Sequence, residues 1–533
     1  MATDSGDPPR VLGIEGTAWA ASAAVYDAAA DTADIETEAY QPDSGGIHPR
    51  EAAEHMADNL PGVIETALAD AERGVDCVAF SRGPGLGPCL RIAGTAARAI
   101  AQRLDVPLVG VNHMIAHLEV GRHRSGFESP VCLNASGANA HVLGYRNGRY
   151  RVLGETMDTG VGNALDKFTR HVGWTHPGGP KVEAAAEDGE YVDLPYVVKG
   201  MDFSFSGVMS AAKQACDGGA AVEDVCFALQ ENVFATLTEV SERALSLTGS
   251  DELVLGGGVG QNRRLQEMLA LMCDQRGAEV YVPEDRFLRD NAGMIAVLGA
   301  EMYRAGDTLA VEDSGIDVYF RPDEVPVTWH GGAPVDRRAD GEVVQGAEAT
   351  VTFEGERVVK ERVPREYRHR ELDERLRVER TRQEARLTSE ARRVGVPTPV
   401  VRDVDPTAGR LVVQRVGDRD LREAPTEERI RTVAWHLATL HRAGFVHGDP
   451  TTRNVRVAPG GEPGLFLIDF GLGYYTDDPE DHAMDLHVFG RSLAGTVDDA
   501  DRLARAVEEA YREAGEGAVL DRLREIEGRG RYQ

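Results

Sequence analysis

The sequence predicts an α/β protein in two parts. A duplicated α/β half with a ligand cleft between its repeats is followed by a small bilobal α+β domain. Three observations predict this. Strand and helix patterns alternate over residues 9–325, and the order restarts near Val131. Residues 321–340 then mix Pro, Gly and charge with no periodicity, which marks a linker. Beyond it the order changes to short strands around one long helix, then helices. The expected boundaries are 1–325, a linker at 326–340, and 341–533. A length of 533 residues fits roughly three or four domains.

Taken in order, Val11–Glu15 is a short buried-strand pattern and Ala20–Tyr26 forms a hairpin with it. Residues 49–72 read as helix, Cys77–Ser81 as strand and 91–103 as helix after a Gly/Pro loop. Val106–Val111 is again strand, before a helix carrying His113 and His117. The second round has strands at 131–135, 141–145 and 150–156, a long helix at 221–247, strand Glu252–Leu255, a Gly loop, and a helix from Arg263. After the linker come strands at Val343–Val344, Ala349–Phe353 and Arg357–Lys360, a helix at 365–394, and strands near 400 and 411–416. Helices at 426–443, 482–493, 498–515 and 519–527 complete the chain.

The formal charge is −30, and only five of the 58 basic residues are lysine. Such an acidic, lysine-poor chain suits molar salt, where the Debye length shrinks to about 3 Å and self-repulsion costs little. A salt-loving archaeal source is the expectation. Residues 361–400 hold eleven Arg against eight acids, and Arg522, Arg524, Arg529 and Arg531 make a basic tail. In so acidic a chain these clusters suggest contact with phosphate, against the plainer reading of solvated i,i+4 pairs. The six cysteines show no C-x-x-C spacing. A polar, acidic N-terminus and the lack of an 18-residue apolar run predict a cytoplasmic protein without membrane contact.

The phrase His447-Gly448-Asp449-Pro450-Thr451-Thr452-Arg453-Asn454, followed by Asp469-Phe470-Gly471, has the order of a phosphoryl-transfer site. Asp449 is the candidate base, and Asn454 and Asp469 are candidate Mg²⁺ ligands. Lys360, the only lysine after Lys213, ends a strand where a phosphate-gripping lysine belongs. Glu384 is its candidate ion-pair partner, with Glu379 the alternative. Gly346, Ala347, Glu348 and Ala349 lie where a loop should cover the phosphates, although they are not G-x-G-x-x-G. In the first half, His113 and His117 stand at i,i+4 on one helix face, a spacing that suits one metal ion, with Asp290 as a further candidate ligand. No Glu follows the first His, so the general base of an H-E-x-x-H protease is missing. Gly256–Asn262 follows a strand and opens a helix, and Ser136–Asn139 is a tight turn; both can present backbone amides.

Residues 341–533 resemble the small atypical kinases of the archaeal and eukaryotic KEOPS complex, on the H-G-D phrase and on Glu379–Arg386. Residues 9–325 resemble the universal tRNA N6-adenosine threonylcarbamoyltransferase family, of the actin/hexokinase-like superfamily. That match rests on Gly13–Thr17, Arg82–Pro88, the N-H-x-x-x-H segment, Leu165–Lys167, His176–Pro180, Phe203–Gly207, Gly256–Asn262 and Asp290–Ile295.

The resemblance implies one Fe²⁺ or Zn²⁺ held by His113, His117 and Asp290. It implies threonylcarbamoyl-AMP held by Asn134, Ala135, Ser136, Gly137, Ala138, Asp166, Gly179, Glu183 and Asn262. Where the family commonly has Tyr, a possible metal ligand, this chain has Asn134 with only a neutral amide oxygen. In the second half the resemblance implies ATP with Mg²⁺, and tRNA bound through the basic tail. The implied partners are tRNA, the other KEOPS subunits, and a threonylcarbamoyl-AMP synthase as supplier. The competing classes are a metallopeptidase and a regulatory kinase-scaffold protein.

Overall fold

The structure is a computed structural model that describes residues 8–40, 48–69, 74–137, 139–146, 148–330, 343–459 and 464–529. Its first sheet is built from β1 (Arg10–Glu15), β2 (Ala20–Asp27), β3 (Thr32–Ala39), β4 (Cys77–Gly83) and β5 (Leu108–Asn112). The spatial order is β3-β2-β1-β4-β5, with an antiparallel meander β3-β2-β1 and a parallel run β1-β4-β5. The second sheet uses β6 (Val131–Ala135), β7 (Ala140–Arg146), β8 (Arg149–Glu155), β11 (Glu252–Gly256) and β12 (Glu279–Tyr281). Its order, β8-β7-β6-β11-β12, repeats the same pattern of pairings. The duplication expected from the restart at Val131 is therefore present in the topology.

Helices cover the first sheet: α1 (Pro49–Ala69), α2 (Gly87–Leu104), α3 (His113–Ser125) and α10 (Ala292–Arg304). The apolar stripe Met56, Leu60, Val63, Ile64 and Ala67 turns α1 inward. Gly13 lets α10 lie against β1, since a Cβ there would stand 2.8 Å from the Ala296 amide. Around the second sheet lie α4 (Val161–His171), α5 (Gly179–Ala186), α6 (Ser206–Asp217), α7 (Val222–Thr248) and α8 (Arg263–Arg276). A short ribbon, β9 (Val198–Lys199) with β10 (Asp202–Phe203), and the single turn α9 (Asp285–Leu288) complete this part.

The second half opens with an antiparallel sheet, order β13-β14-β15-β17-β16. Its strands are β13 (Val343–Gln345), β14 (Thr350–Glu354), β15 (Arg357–Glu361), β16 (Val401–Asp405) and β17 (Arg410–Gln414), with α11 (Arg370–Arg393) set between β15 and β16 in the chain. A mainly helical part follows, made of α12 (Glu427–Arg442), α13 (Pro479–Thr496), α14 (Ala500–Ala514) and α15 (Gly517–Arg529). Short strands β18 (Arg419–Asp420), β19 (Phe445–Val446), β20 (Val455–Val457), β21 (Leu465–Leu467) and β22 (Tyr474–Tyr475) carry the loops between them. Leu437, Phe489, Leu493 and Leu503 form its core.

The halves are not separated by solvent. Tyr367, Leu372 and Leu376 of the second half belong to the same buried cluster as Phe234, Leu237 and Leu245 of α7. Val325 and Val327 are buried in the first half, and the Val327 amide donates to the Gly148 carbonyl at 2.8 Å. Residues 331–340 of the expected linker lie outside the described residues. Among the described residues, no helix is long and apolar enough to cross a membrane.

The structure departs from the sequence reading at several elements. The long helix begins at Arg370, not 365, because residues 362–369 run irregularly past Pro364 and bury Arg362, Arg365 and Arg368. Helix α2 starts earlier, at Gly87, with Pro88 in its first turn. The sequence reading also omitted β3 and the helices α4–α6.

Candidate functional site

The carboxyl ends of β1, β5, β6 and β11 meet in the cleft between the two sheets, where open α/β folds place their ligands. Asn112 ends β5 and caps α3, accepting from the Met114 and Ile115 amides at 3.0 and 3.1 Å. That cap fixes the first turn of α3, so His113 and His117 project one turn apart into the cleft. Asn291 caps α10 by accepting from the Met294 amide at 3.1 Å, which fixes the backbone next to Asp290.

These elements bring the three predicted ligands together. Asp290 Oδ1 lies 3.3 Å from His113 Nε2 and 3.2 Å from His117 Nε2. One ligand atom from each residue lies within 4.8 Å of the other two. His117 Nδ1 and Asn134 Oδ1 are both buried without a hydrogen-bond partner. A Cβ on Gly256 would stand 3.4 Å from His117 Cβ and 3.8 Å from Asn134 Oδ1, so glycine keeps the space between them open. Two imidazoles, a carboxylate and an adjacent amide oxygen in a buried pocket fit a divalent transition-metal ion.

One residue of this site escaped the sequence reading. Glu15 ends β1, is fully buried, and accepts from His113 Nδ1 at 3.1 Å. Its other oxygen accepts from the Thr17 amide and hydroxyl at 2.8 and 2.5 Å. Glu15 therefore holds the proton on His113 Nδ1 and leaves Nε2 to face Asp290, as an outer carboxylate does behind a metal-binding His. Burial alone would lower the His113 pKa, but Glu15 and Asp290 raise it to about 10. His117 moves the other way, lowered by burial and by the neighbouring His113 charge. Burial would raise Asp290, yet the two histidines hold it well below the ordinary carboxylate range.

The predicted adenylate-binding residues surround the second sheet. In the turn after β6, the Ser136 amide donates to the Asn139 carbonyl at 2.8 Å, and the Asn163 amide of α4 donates to the Gly137 carbonyl at 2.9 Å. Ala138 lies outside the described residues. Asp166 on α4 accepts from the Gly178 amide at 2.6 Å and from His176 at 3.1 Å, binding the loop that starts α5 at Gly179. Glu183 accepts from the Arg263 amide at 3.0 Å. Asn262 caps α8 through the Arg264 and Leu265 amides and donates to Gln230, so its side chain already serves the protein. A cavity of about 770 Å³ runs from Met114, Asn139 and Asn163 to Glu480, Met484 and His487 of the second half.

The second half gathers its own set. Lys360 Nζ on β15 lies 3.0 Å from Glu384 Oε1 on α11 and 2.6 Å from Asp469 Oδ1. Glu384, not Glu379, is thus the lysine's partner. Asn454 Nδ2 donates to Asp449 Oδ2 at 3.1 Å. The His447 and Gly448 amides both donate to Asp485, at 2.7 and 2.8 Å, which fixes the loop carrying Asp449. Asp469 sits at φ 65°, a left-handed conformation that aspartate tolerates better than most residues. Gly346, Ala347, Glu348, Ala349, Lys360, Glu384, Asp449, Asn454 and Asp469 all line one cavity of about 300 Å³. Burial pushes the Asp449 carboxyl up despite Arg243 beside it. Asp469 is held down by Lys360 and Arg362 against the effect of its burial.

Four arginines of the arginine-rich stretch, Arg362, Arg365, Arg368 and Arg380, turn to carboxylates inside the protein, while Arg370, Arg382, Arg386, Arg392 and Arg393 are exposed. Arg368 donates to Glu239 at 2.8 Å, Arg380 to Glu239 at 3.0 Å, and Arg365 lies 3.0 Å from Glu242. Arg362 pairs with Glu384 at 2.7 Å. These side chains are buried against carboxylates, several from α7 of the first half. Counting charge along the chain could not reveal partners over a hundred residues away. Arg522 and Arg524 on α15 pair with Glu525 and Asp521 of their own helix. Arg529 closes α15, and Arg531 lies outside the described residues.

Comparison with known proteins gives the first half a family. Residues 31–297 match the family model of TsaD, tRNA N6-adenosine threonylcarbamoyltransferase, and that span contains His113, His117 and Asp290. A protein of Haloarcula marismortui is 70% identical, over 98% of this chain and 100% of its own length. One from Halobacterium salinarum is 69% identical over 98% and 99%, and one from Methanospirillum hungatei is 50% identical over 98% and 99%. All three carry the name "Probable bifunctional tRNA threonylcarbamoyladenosine biosynthesis protein". Spanned end to end by such relatives, the chain belongs to the family of bifunctional tRNA threonylcarbamoyladenosine biosynthesis proteins, with a TsaD-type first half.

Proposed function

We propose that residues 1–325 transfer a threonylcarbamoyl group from threonylcarbamoyl-AMP to N6 of the adenosine 3′ of the anticodon in ANN-decoding tRNA. The observation that carries this reading is the His113–His117–Asp290 cluster, inside the family-matched span and close to Met114 at one end of the large cavity. The N6 amine forms the new bond to the carbamoyl carbon, the bond to the phosphate oxygen breaks, AMP leaves with the electron pair, and the proton displaced from N6 passes to solvent water. His113, His117 and Asp290 would hold one Fe²⁺ or Zn²⁺, with the Asn134 amide oxygen beside them. Such an ion, when bound, supplies Lewis acidity toward the carbonyl or the adenylate phosphate. Glu15 keeps His113 in the required tautomer. Asn134 and Ala135 at the end of β6, Ser136, Gly137 and Ala138, with Asp166, Gly179, Glu183 and Asn262, form the expected adenylate site, in which Asp166 and Asn262 act by holding the loops at the starts of α5 and α8.

In this reading, residues 326–340 link the transferase to a kinase-like domain, 341–533, that hydrolyses ATP or phosphorylates Ser/Thr. Lys360, held by Glu384, grips the phosphates under the loop Gly346–Ala349. Asn454 and Asp469 take Mg²⁺, and Asp449 orients the attacking group. Arg522, Arg524, Arg529 and Arg531 contribute to tRNA binding, and the protein works in the cytoplasm with KEOPS subunits and a threonylcarbamoyl-AMP synthase. The metallopeptidase alternative gains nothing from Glu15, which is tied to Thr17 and His113 and is not free to act as a base.

The test is threonylcarbamoyladenosine formation on unmodified tRNA at high KCl, with ATP, threonine, bicarbonate, synthase and partner subunits, read by nucleoside mass spectrometry. Product is expected from wild type and lost in His113→Ala. Asp449→Ala then reports whether the second site is needed for turnover. Wild type that makes no product while still consuming ATP would overturn the transferase reading.

A further inference from the structure

Arg243 belongs to α7 of the first half, yet its guanidinium lies in the cavity of the second. Nη1 donates to Asp449 Oδ2 at 2.9 Å, Nη2 donates to Glu348, and Nε donates to Glu239 on the same helix at 3.1 Å. The side chain is 10% exposed. Ser246, one turn further along α7, lines the same cavity, and Arg453 beside Asp449's loop donates to its hydroxyl at 3.3 Å. The cavity that holds Lys360, Asp449, Asn454 and Asp469 is therefore walled partly by the other half of the chain.

The charges in this cavity are laid out unevenly. Lys360 is committed to Glu384 and Asp469 on one side. On the other side Asp449 has Asn454 and Arg243 as its donors. A terminal phosphate between Asp449 and Asp469 would face two carboxylates, so a cation is needed on the Asp449 side to receive the charge on its oxygens. Arg243 is that cation, and its planar fork suits phosphate oxygens better than a point charge would. Glu239 and Glu348 hold it in place beforehand, so no reorganisation is needed when charge develops. The same helix covers Asp449, which is 8% exposed, and leaves water better placed than a protein hydroxyl to reach it.

We propose that Arg243 is a phosphate-contacting residue which the first half supplies to the ATP site of the second. This rests on the reading of that cavity as a nucleotide site. In the step itself, a water oxygen bonds to the γ-phosphorus while the bond to the β–γ bridging oxygen breaks. ADP leaves with that electron pair, and the water proton passes to Asp449. The Arg243 Nη1 donor passes from the Asp449 carboxylate to the γ-phosphoryl oxygens.

The test uses the full chain at high KCl. It measures phosphate release from Mg·ATP, binding of a fluorescent ADP, and trapping of ADP with aluminium fluoride. Arg243→Ala should lower kcat by about 10²–10³-fold with KM changed less than about threefold. It should also lose the aluminium fluoride complex while still binding ADP, and Arg243→Lys should recover only part of the rate. Arg375→Ala, which removes an interface pair with Asp193 away from the cavity, should leave phosphate release unchanged. Phosphate release from Arg243→Ala at or above the wild-type rate would overturn the proposal and make the arginine a plug. Loss of ADP binding along with turnover in Arg243→Ala would overturn it in favour of a purely structural role. Wild type that binds no ADP and releases no phosphate would instead overturn the nucleotide reading beneath it.

Discussion

Asp290→Ala is expected to emerge from purification with almost no bound metal and to form threonylcarbamoyladenosine about 10²–10³-fold more slowly than wild type. The carboxylate touches both imidazole Nε2 atoms, at 3.3 and 3.2 Å. Without it, two histidines and a neutral amide face each other in a buried pocket, with no negative charge among the ligand atoms to balance a divalent ion. Metal content by mass spectrometry is read beside activity, so a variant that is empty but folded differs from one that fails to fold. Glu15→Gln makes a graded comparison. It keeps an acceptor for His113 Nδ1 but removes the charge, and metal affinity should fall about 10- to 100-fold. Full metal occupancy in Asp290→Ala would sink the assignment of this cluster.

Much of this site was legible in the sequence because its residues break local habit. Two histidines at helical spacing after a capping Asn stand out, and so does a lysine in a chain that has only five. Glu15 and Arg243 were hidden for the opposite reason. In a chain rich in Glu and Arg, one more of either on a strand end or a 27-residue helix looks like surface. Only the fold shows that Glu15 is buried, that Arg243 is largely covered, and that both are aimed at other elements. The same physics explains the missed strand β3. Its sequence TADIETEA buries only Ala33 fully and turns its acids to solvent, so it carries too little apolar alternation to read as a strand. The helices α4–α6 are short and broken by Gly and Pro, and their apolar residues count only once packed against α7. The repeat of two sheets was visible because each begins with a buried, mostly apolar first strand, β1 from Val11 onward and all of β6.

Glu239→Ala should cost about 3–5 kcal/mol of stability, the penalty for breaking a buried charge network by removing one partner. Glu239 is 1% exposed and accepts from Tyr196 at 2.6 Å, Arg368 at 2.8 Å, Arg380 at 3.0 Å and Arg243 at 3.1 Å. Its removal leaves three buried guanidiniums crowded together at the junction of the halves. Burial pushes the Glu239 and Glu348 carboxyls up, but the surrounding arginines overcome this and hold both below their ordinary value of 4.5. Groups lowered in the folded state stabilise it fully above the unfolded value and lose that contribution as the pH falls through the folded one. The contribution of Glu239 and Glu348 should therefore weaken only below pH 4.5. Asp202, raised to about 6 by burial, runs the other way: its contribution is present below 3.8 and is lost as the pH rises through 6. His487, 3.5 Å from Asp202 and lowered to about 3 by burial, opposes that gain. Its contribution is present above 6.5 and is lost as the pH falls, so the two offset each other between about pH 7 and 5. Calorimetry of wild type and Glu239→Ala against pH checks the carboxylate sign, and a difference between their melts that is already lost between about pH 5 and 6 would contradict the linkage. Salt separates this network from the acidic surface, since screening acts on exposed charges and hardly on buried ones. Lowering KCl should destabilise wild type and Glu239→Ala alike through surface repulsion, so the difference between their melts should stay constant. A difference that vanishes at low salt would place Glu239 among the surface charges after all.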